Sequence, residues 1–244
     1  MTTHLSIALI AGMLLVAAFV QAAPDAAEEA SGTSSGILDP DNLGLKPEDA
    51  LDLVGAQEHL FIPEKQGIQS RWVFADGVLT ASPSRDSVVT PEDYTDFRLH
   101  LEFNCNDNPG LNFGNNGNSG VYIQKRYEVQ IHNSHGVSEE DFKNTYCGSL
   151  YKFKKPDALV ARPAGQWQSY DIVFRAARFD GDEKVENARI TVYHNGVRIH
   201  DDVELPNKTG AGAAEGPEPG PIKLQGHGNP VRFRNVWVQR LELD

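Results

Sequence analysis

The stretch Tyr127-Glu128-Val129-Gln130-Ile131-His132 places a carboxylate, an amide and an imidazole at every second residue. In an extended chain such residues point the same way, so Glu128, Gln130 and His132 form a polar row about 13 Å long. Planar polar groups in a row can bind the vicinal hydroxyls of a sugar, and a carboxylate or imidazole can move a proton at the reacting bond. The plain alternative is the solvated side of a strand, and alternation alone does not separate the two. Asn118, just upstream, adds a second amide to the set.

A second group lies in Ile222-Lys223-Leu224-Gln225-Gly226-His227-Gly228. With Ile222 and Leu224 facing a core, Lys223 and Gln225 face the other way. His227 sits between two glycines that let the backbone turn tightly and expose the ring. A loop histidine that only holds its own turn is the competing reading. Arg234-Asn235 interrupts the alternation, which predicts a bulge that redirects side chains. Glu102 shares the outward face of its strand with Arg98 and His100. Tyr122, Tyr151 and Trp167 could serve as flat platforms for a sugar ring.

The elements that must hold these residues are strands. Phe97, Leu99, Leu101 and Phe103 alternate strictly with polar residues, a period of two. Similar segments are Trp72 to Phe74, Gly120 to Gln124, Tyr127 to His132, Tyr170 to Arg175, Arg189 to His194, Pro221 to Gln225 and Val231 to Leu243. Turn signals lie between them at Ala75-Asp76-Gly77 and Asn195-Gly196, the latter a hairpin signature. Ser138 to Asn144 could form one helical turn. Many short strands with this spacing predict an all-β, two-sheet antiparallel sandwich. Asn207 to Pro221 is too polar for a strand and reads as a long surface loop or a lid beside a site; Asn207-Lys208-Thr209 is a glycosylation acceptor pattern.

The formal net charge of -12 argues against nucleic acid and against an anionic membrane surface, and leaves neutral saccharides unaffected. The first charged side chain is Asp25, after an apolar run from Leu5 to Val20 and the small-residue end Gln21-Ala22-Ala23. This predicts a signal peptide over 1–23 and a secreted or periplasmic protein. The alternative is an uncleaved membrane anchor, for which the run is short. Residues 24–45 read as a flexible acidic tether and 46–244 as a single domain. Cys105 and Cys147 are the only cysteines; a disulfide and two buried thiols are both compatible with that. No spacing of Cys, His or carboxylates demands a metal, and no cofactor is implied.

Several of these pieces together, in order, resemble the 3-keto-disaccharide hydrolase domain family. They are Asn-Ser-Gly-Val-Tyr before Tyr127-Glu128-Val129-Gln130-Ile131, then Gly148-Ser149-Leu150-Tyr151, Trp167-Gln168-Ser169-Tyr170, Asn195-Gly196, and Leu224-Gln225-Gly226-His227-Gly228 with Arg234-Asn235-Val236. Trp72 to Leu79 and Phe97 to Phe103 fit the family's opening strands, so the likeness runs over about residues 50 to 244. It implies a concanavalin A-like jelly roll whose concave sheet binds saccharide, and action on glycosides oxidised at C3. By position, Glu128, Gln130 and His132 would line the concave face, with Glu102, Gln225 and His227 nearby. His132 stands where an acidic residue often follows the isoleucine, and the Gly-rich loop from Asn106 to Asn118 is longer than usual.

Two routes would cleave such a glycoside. A C3 ketone acidifies the proton on C2, so a base can drive elimination of the C1 oxygen, with Glu128 or His132 as base and His227 or Lys223 supporting the charge that develops. Direct hydrolysis needs two carboxylates, about 5–5.5 Å apart for retention or about 6.5–9.5 Å for inversion; Glu128 and Glu102 are the candidate pair. A lectin-like binding module needs platforms and hydrogen-bonding groups but no acid or base. Tyr122, Tyr151, Lys223, Gln225, Arg234, Gln130 and Asn118 are the expected substrate-binding residues.

Overall fold

In the computed structural model, which describes residues 1, 38, 40–105 and 117–244, the alternation over 97–103 becomes the long strand at the centre of the protein. Phe97, Leu99, Leu101 and Phe103 are fully buried on its inner side. Fifteen strands follow in chain order: β1 (Leu51–Val54), β2 (Ile62–Pro63), β3 (Val73–Ala75), β4 (Val78–Thr80), β5 (Val88–Val89), β6 (Asp96–Asn104), β7 (Ser119–Ile123) and β8 (Tyr127–Ile131). Then come β9 (Gln168–Arg175), β10 (Arg178–Asp180), β11 (Glu183–Glu186), β12 (Ala188–His194), β13 (Val197–Leu205), β14 (Lys223–Leu224) and β15 (Arg232–Leu241). Among the described residues there is no α-helix, only a 3-10 turn at Pro40–Asn42.

The strands form two antiparallel sheets. The larger runs β13-β12-β9-β6-β15-β4-β3, with β1 added to β15, and the smaller runs β2-β5-β14-β7-β8. Strands β10 and β11 pair as a separate ribbon. The inner residues of β6, β9, β12 and β15 join Val121, Ile123, Tyr127, Val129 and Ile131 of the smaller sheet in one buried cluster. The Tyr170 hydroxyl crosses between sheets to donate to the Gln130 carbonyl at 2.7 Å. Tyr127 and Phe174 meet across the same gap with ring centres 5.5 Å apart. This is the two-sheet jelly-roll sandwich that the period-two pattern predicts.

Local turn chemistry is also as predicted. Asp76 and Gly77 both have positive φ between β3 and β4, as do Asn195 and Gly196 between β12 and β13; two such residues make the turn whose twist matches a hairpin. The pairing of β15 with β6 shifts register between Arg234 and Trp237, the bulge expected from the broken alternation.

Other expectations change. Ser138 to Asn144 forms turns and no helix. Residues 40–45, placed in a tether by composition, pack on the larger sheet: the Gly44 amide donates to Asp171 Oδ1 at 2.8 Å and Arg98 Nη2 donates to the Asn42 carbonyl. Leu38 is buried beside Val173 and Tyr193, so ordered packing begins before residue 46. Cys105 and Cys147 are both buried free thiols. The expected signal peptide, the tether over 24–37 and most of the Gly-rich loop (106–116) lie outside the described residues.

Candidate functional site

Strands β7 and β8 carry the site because their pleat turns one side of each to the core and the other outward. Val121, Val129 and Ile131 go inward, while Tyr122, Glu128 and Gln130 face a cleft of about 180 Å³. The cleft also takes Asn118, Tyr151, Lys152, Ala211, Gln225 and His227. Glu128 and Tyr122 are direct partners in the antiparallel register. Strand β14 pairs with β7 so that Lys223 stands opposite Tyr122. The 222–228 segment and the 127–132 strand, far apart in sequence, therefore meet across β7.

Among the described residues, Glu128 is the one carboxylate that lines this cleft. It is 2% exposed, and its Oε2 has no hydrogen-bond partner within the protein. Burial pushes its pKa up to about 7, against the Tyr122 hydroxyl and the charges of Lys223 and Lys152, which favour the carboxylate. A carboxyl with that pKa can both accept and return a proton near neutrality. Tyr122 is pushed up in turn, by burial first and then by the Glu128 charge, so it remains a neutral donor.

The surrounding groups are held in place. Gln225 Nε2 donates to the Tyr122 hydroxyl at 3.3 Å. Lys223 Nζ sits 5.0 Å from the Tyr122 ring centre and 2.9 Å from Glu64 Oε2. Lys125 Nζ also meets Glu64, at 3.1 Å. Gln130 Nε2 donates to the Thr145 carbonyl at 3.2 Å, and its Oε1 has no partner within the protein. Asn118 receives its position from Asn229, whose Oδ1 accepts the Asn118 amide at 3.1 Å.

The segment 207–221, read from sequence as loop or lid, is a wall of this cleft. Thr209 Oγ1 accepts the Glu128 amide at 2.7 Å, and the Thr209 amide donates to the Arg126 carbonyl at 3.1 Å. Glu215 accepts from the Tyr127 hydroxyl and pairs with Lys184 at 2.7 Å. Gly212 lies flat against the Arg126 carbonyl, where a Cβ would overlap it. Close approach of two backbones requires glycine there.

Of the expected site residues, Lys223 stands beside the cleft without lining it, and three fall elsewhere. His132 is buried with its ring stacked on Tyr146, 5.1 Å between centres, and does not line the cleft. Glu102 and Arg234 lie on the outer face of the larger sheet, paired with each other at 2.7 Å. Since β6 turns Leu101 and Phe103 to the core and β8 turns Val129 to the same core, Glu102 and Glu128 face opposite sides of the sandwich. The two-carboxylate pair is thereby ruled out. Trp167, an expected platform, is on that far side too.

Sequence reasoning missed Lys152, Thr209 and Ala211. Lys152 has φ +62, in a lysine-rich stretch without periodicity, so nothing in its pattern marked it. Among the described residues, no group of three or more His, Cys, Asp or Glu side chains is placed to hold a metal ion.

Comparison with known proteins agrees with this fold. The profile of the 3-keto-alpha-glucoside-1,2-lyase-like domain matches residues 61–239. No curated protein matches the chain. Among solved structures, a candidate glycosyl hydrolase from Parabacteroides distasonis is 30% identical, with a TM-score of 0.72 over 80% of this chain and 85% of that one. A second candidate glycosyl hydrolase from the same organism, 19% identical with a TM-score of 0.52, covers 70% of this chain and 83% of its own; it shares the fold. The stretch matched by the family profile holds the whole Glu128 cleft, and the chain belongs to the 3-keto-alpha-glucoside-1,2-lyase-like domain family, a glycosyl hydrolase- or lyase-like carbohydrate-active domain.

Proposed function

We propose that the protein cleaves 3-keto-glycosides by removing the C2 proton and eliminating the C1 oxygen, with Glu128 as the base. The observation that carries this reading is that Glu128 is the one carboxylate lining the cleft among the described residues, buried and poised at about 7. A two-carboxylate hydrolysis needs a second acid at the reacting bond, and among the described residues no other lines this cleft. Elimination needs one base and donors for the charge that develops on the ketone oxygen.

The C2 proton passes to Glu128 and its bonding electrons become an enolate spread to the C3 oxygen. The enolate then collapses to a C1–C2 double bond as the C1–O bond breaks, and the leaving oxygen takes a proton. Tyr122, Lys223 and Lys152 are the donors whose hydrogen bond or charge acts on Glu128, and His227 stands at the cleft with a ring able to carry the final proton. A lectin-like role would use the same aromatic and amide groups but gains nothing from a buried carboxyl poised near neutrality. That difference favours the enzyme.

Incubating the protein with a 3-keto-α-glucoside tests the reading. The expected products are the freed leaving group and a 2-hydroxy-enone that has lost its C2 hydrogen, with turnover abolished in Glu128→Gln. A product that keeps the C2 hydrogen and carries solvent oxygen at C1 would overturn elimination; an intact substrate would overturn the catalytic reading.

A further inference from the structure

The polar residues left outside the cleft are not scattered. Glu102, Arg234 and Trp167 line a second cavity of about 360 Å³ on the outer face of the larger sheet, together with His100, Arg162 and Asn235. Arg234 stacks its guanidinium 4.0 Å from the Trp167 ring centre and donates to Glu102 Oε2 at 2.8 Å. Asn235 Nδ2 donates to the other oxygen, Oε1, at 3.0 Å, and lies 3.3 Å from His100 Nε2. Behind them His100 Nδ1 meets Asp171 Oδ1 at 2.9 Å.

The backbone is bent to make this arrangement. Asn235 has φ +46 inside the β15 bulge, a left-handed conformation that costs energy for a residue with a side chain and tends to persist where function uses it. In a regular strand Arg234 and Asn235 would face opposite ways. The bulge turns both onto Glu102, which only an outward-facing pair can reach. The cavity is larger than the cleft, and β6 and β15 contribute His100, Glu102, Arg234 and Asn235 to its lining.

We propose that this cavity is a second, non-catalytic saccharide-binding site on the far face, taking a neutral sugar. Its ionic groups are already engaged: Glu102 with Arg234 and Asn235, Asp171 with His100 and the Gly44 amide, and Arg162 with the Trp167 carbonyl. No carboxylate is left over to draw a cation. What the cavity offers a ligand is the remaining lone pairs of Glu102, planar amide and guanidinium groups and the indole of Trp167. Fixed planar donors and acceptors beside an aromatic ring are what a row of sugar hydroxyls and its C–H face require. The saccharide reading of the family supplies only the ligand class; the site does not depend on Glu128 chemistry.

The indole N–H signals of Trp72, Trp167 and Trp237 in an NMR titration test this, with maltotriose, cellotriose and isomaltotriose as neutral probes and trigalacturonate as the anionic one. A neutral trisaccharide is expected to shift the Trp167 signal selectively, and to do so equally in Glu128→Gln. Glu102→Gln and Trp167→Phe should each weaken that binding about tenfold or more, while turnover of a small soluble 3-keto-glucoside stays as in the parent. Absence of any Trp167 shift with all three neutral probes would overturn the proposal. So would a response to trigalacturonate alone, or a Trp167 shift that disappears in Glu128→Gln. Loss of the catalytic reading shows differently: the Trp167 shift survives with no turnover of the 3-keto-glucoside.

Discussion

Gly120 lies under the Glu128 carboxylate, so close that a Cβ built on the glycine would overlap Oε1 and stand 3.0 Å from Cδ. The glycine is in an ordinary strand conformation, so alanine there strains no backbone. The flexible end of Glu128 would have to move instead. Gly120→Ala is therefore expected to leave the thermal midpoint nearly unchanged and to lower kcat on a 3-keto-glucoside by about 10²-fold, the scale of a misplaced base. Equal activity in the alanine variant would show that the carboxylate position does not matter.

The pKa of Glu128 sets a pH profile. With the carboxylate as base, kcat/KM should rise through about 7 and level off above it. Lys223 is one of the charges holding that pKa down, so Lys223→Met should move the midpoint to higher pH. A profile that falls through the same range would assign Glu128 the opposite proton role.

The same group couples to stability. The folded protein keeps the Glu128 proton up to about 7, whereas the carboxyl reference value is 4.5. Stability from this group is thus intact below the lower value and is lost as pH rises to the higher one. Well above pH 7 the loss is on the order of 3 kcal/mol. Glu128→Gln should be more stable than the parent at pH 8 and should lose that advantage near pH 4, as chemical denaturation at the two pH values would show.

Thr209 connects the wall to Glu128, its hydroxyl accepting from the Glu128 amide. Thr209→Val removes the acceptor and leaves a buried N–H unpaired, which costs about 1–3 kcal/mol. The expected result is a lower urea midpoint together with a reduced kcat, both restored by Thr209→Ser.

Much of this could be read from the chain because strand alternation reports side-chain direction locally. The segments around Glu128 and Lys223 through His227 gave six cleft residues, Asn118, Tyr122, Glu128, Gln130, Gln225 and His227, and the aromatic platforms gave a seventh, Tyr151. Alternation tells which side of its own strand a residue occupies, but not to which sheet the strand belongs. That is why Glu102 was grouped with Glu128 although the core separates them. His132 continues the polar row on paper, yet β8 ends at Ile131 and the ring turns away to stack on Tyr146. Strands of two residues such as β2 and β5 carry too few positions to show a period. Lys152 reaches the cleft through a left-handed backbone, which residue type alone does not announce for lysine.

The wall around β8 has an effect unrelated to turnover. As the last strand of its sheet, β8 would present open N–H and C=O groups to any extended chain that came near, and an edge of this kind invites intermolecular pairing. Here the Gln130 and Glu128 backbones are taken by Gly148, Ser149, Tyr151 and Thr209. The segments that shape the cleft also make its strand unavailable for aggregation. Redesigning them to admit a larger glycoside would weaken solubility and specificity together, so variants with shortened walls should be screened for self-association before their kinetics are compared.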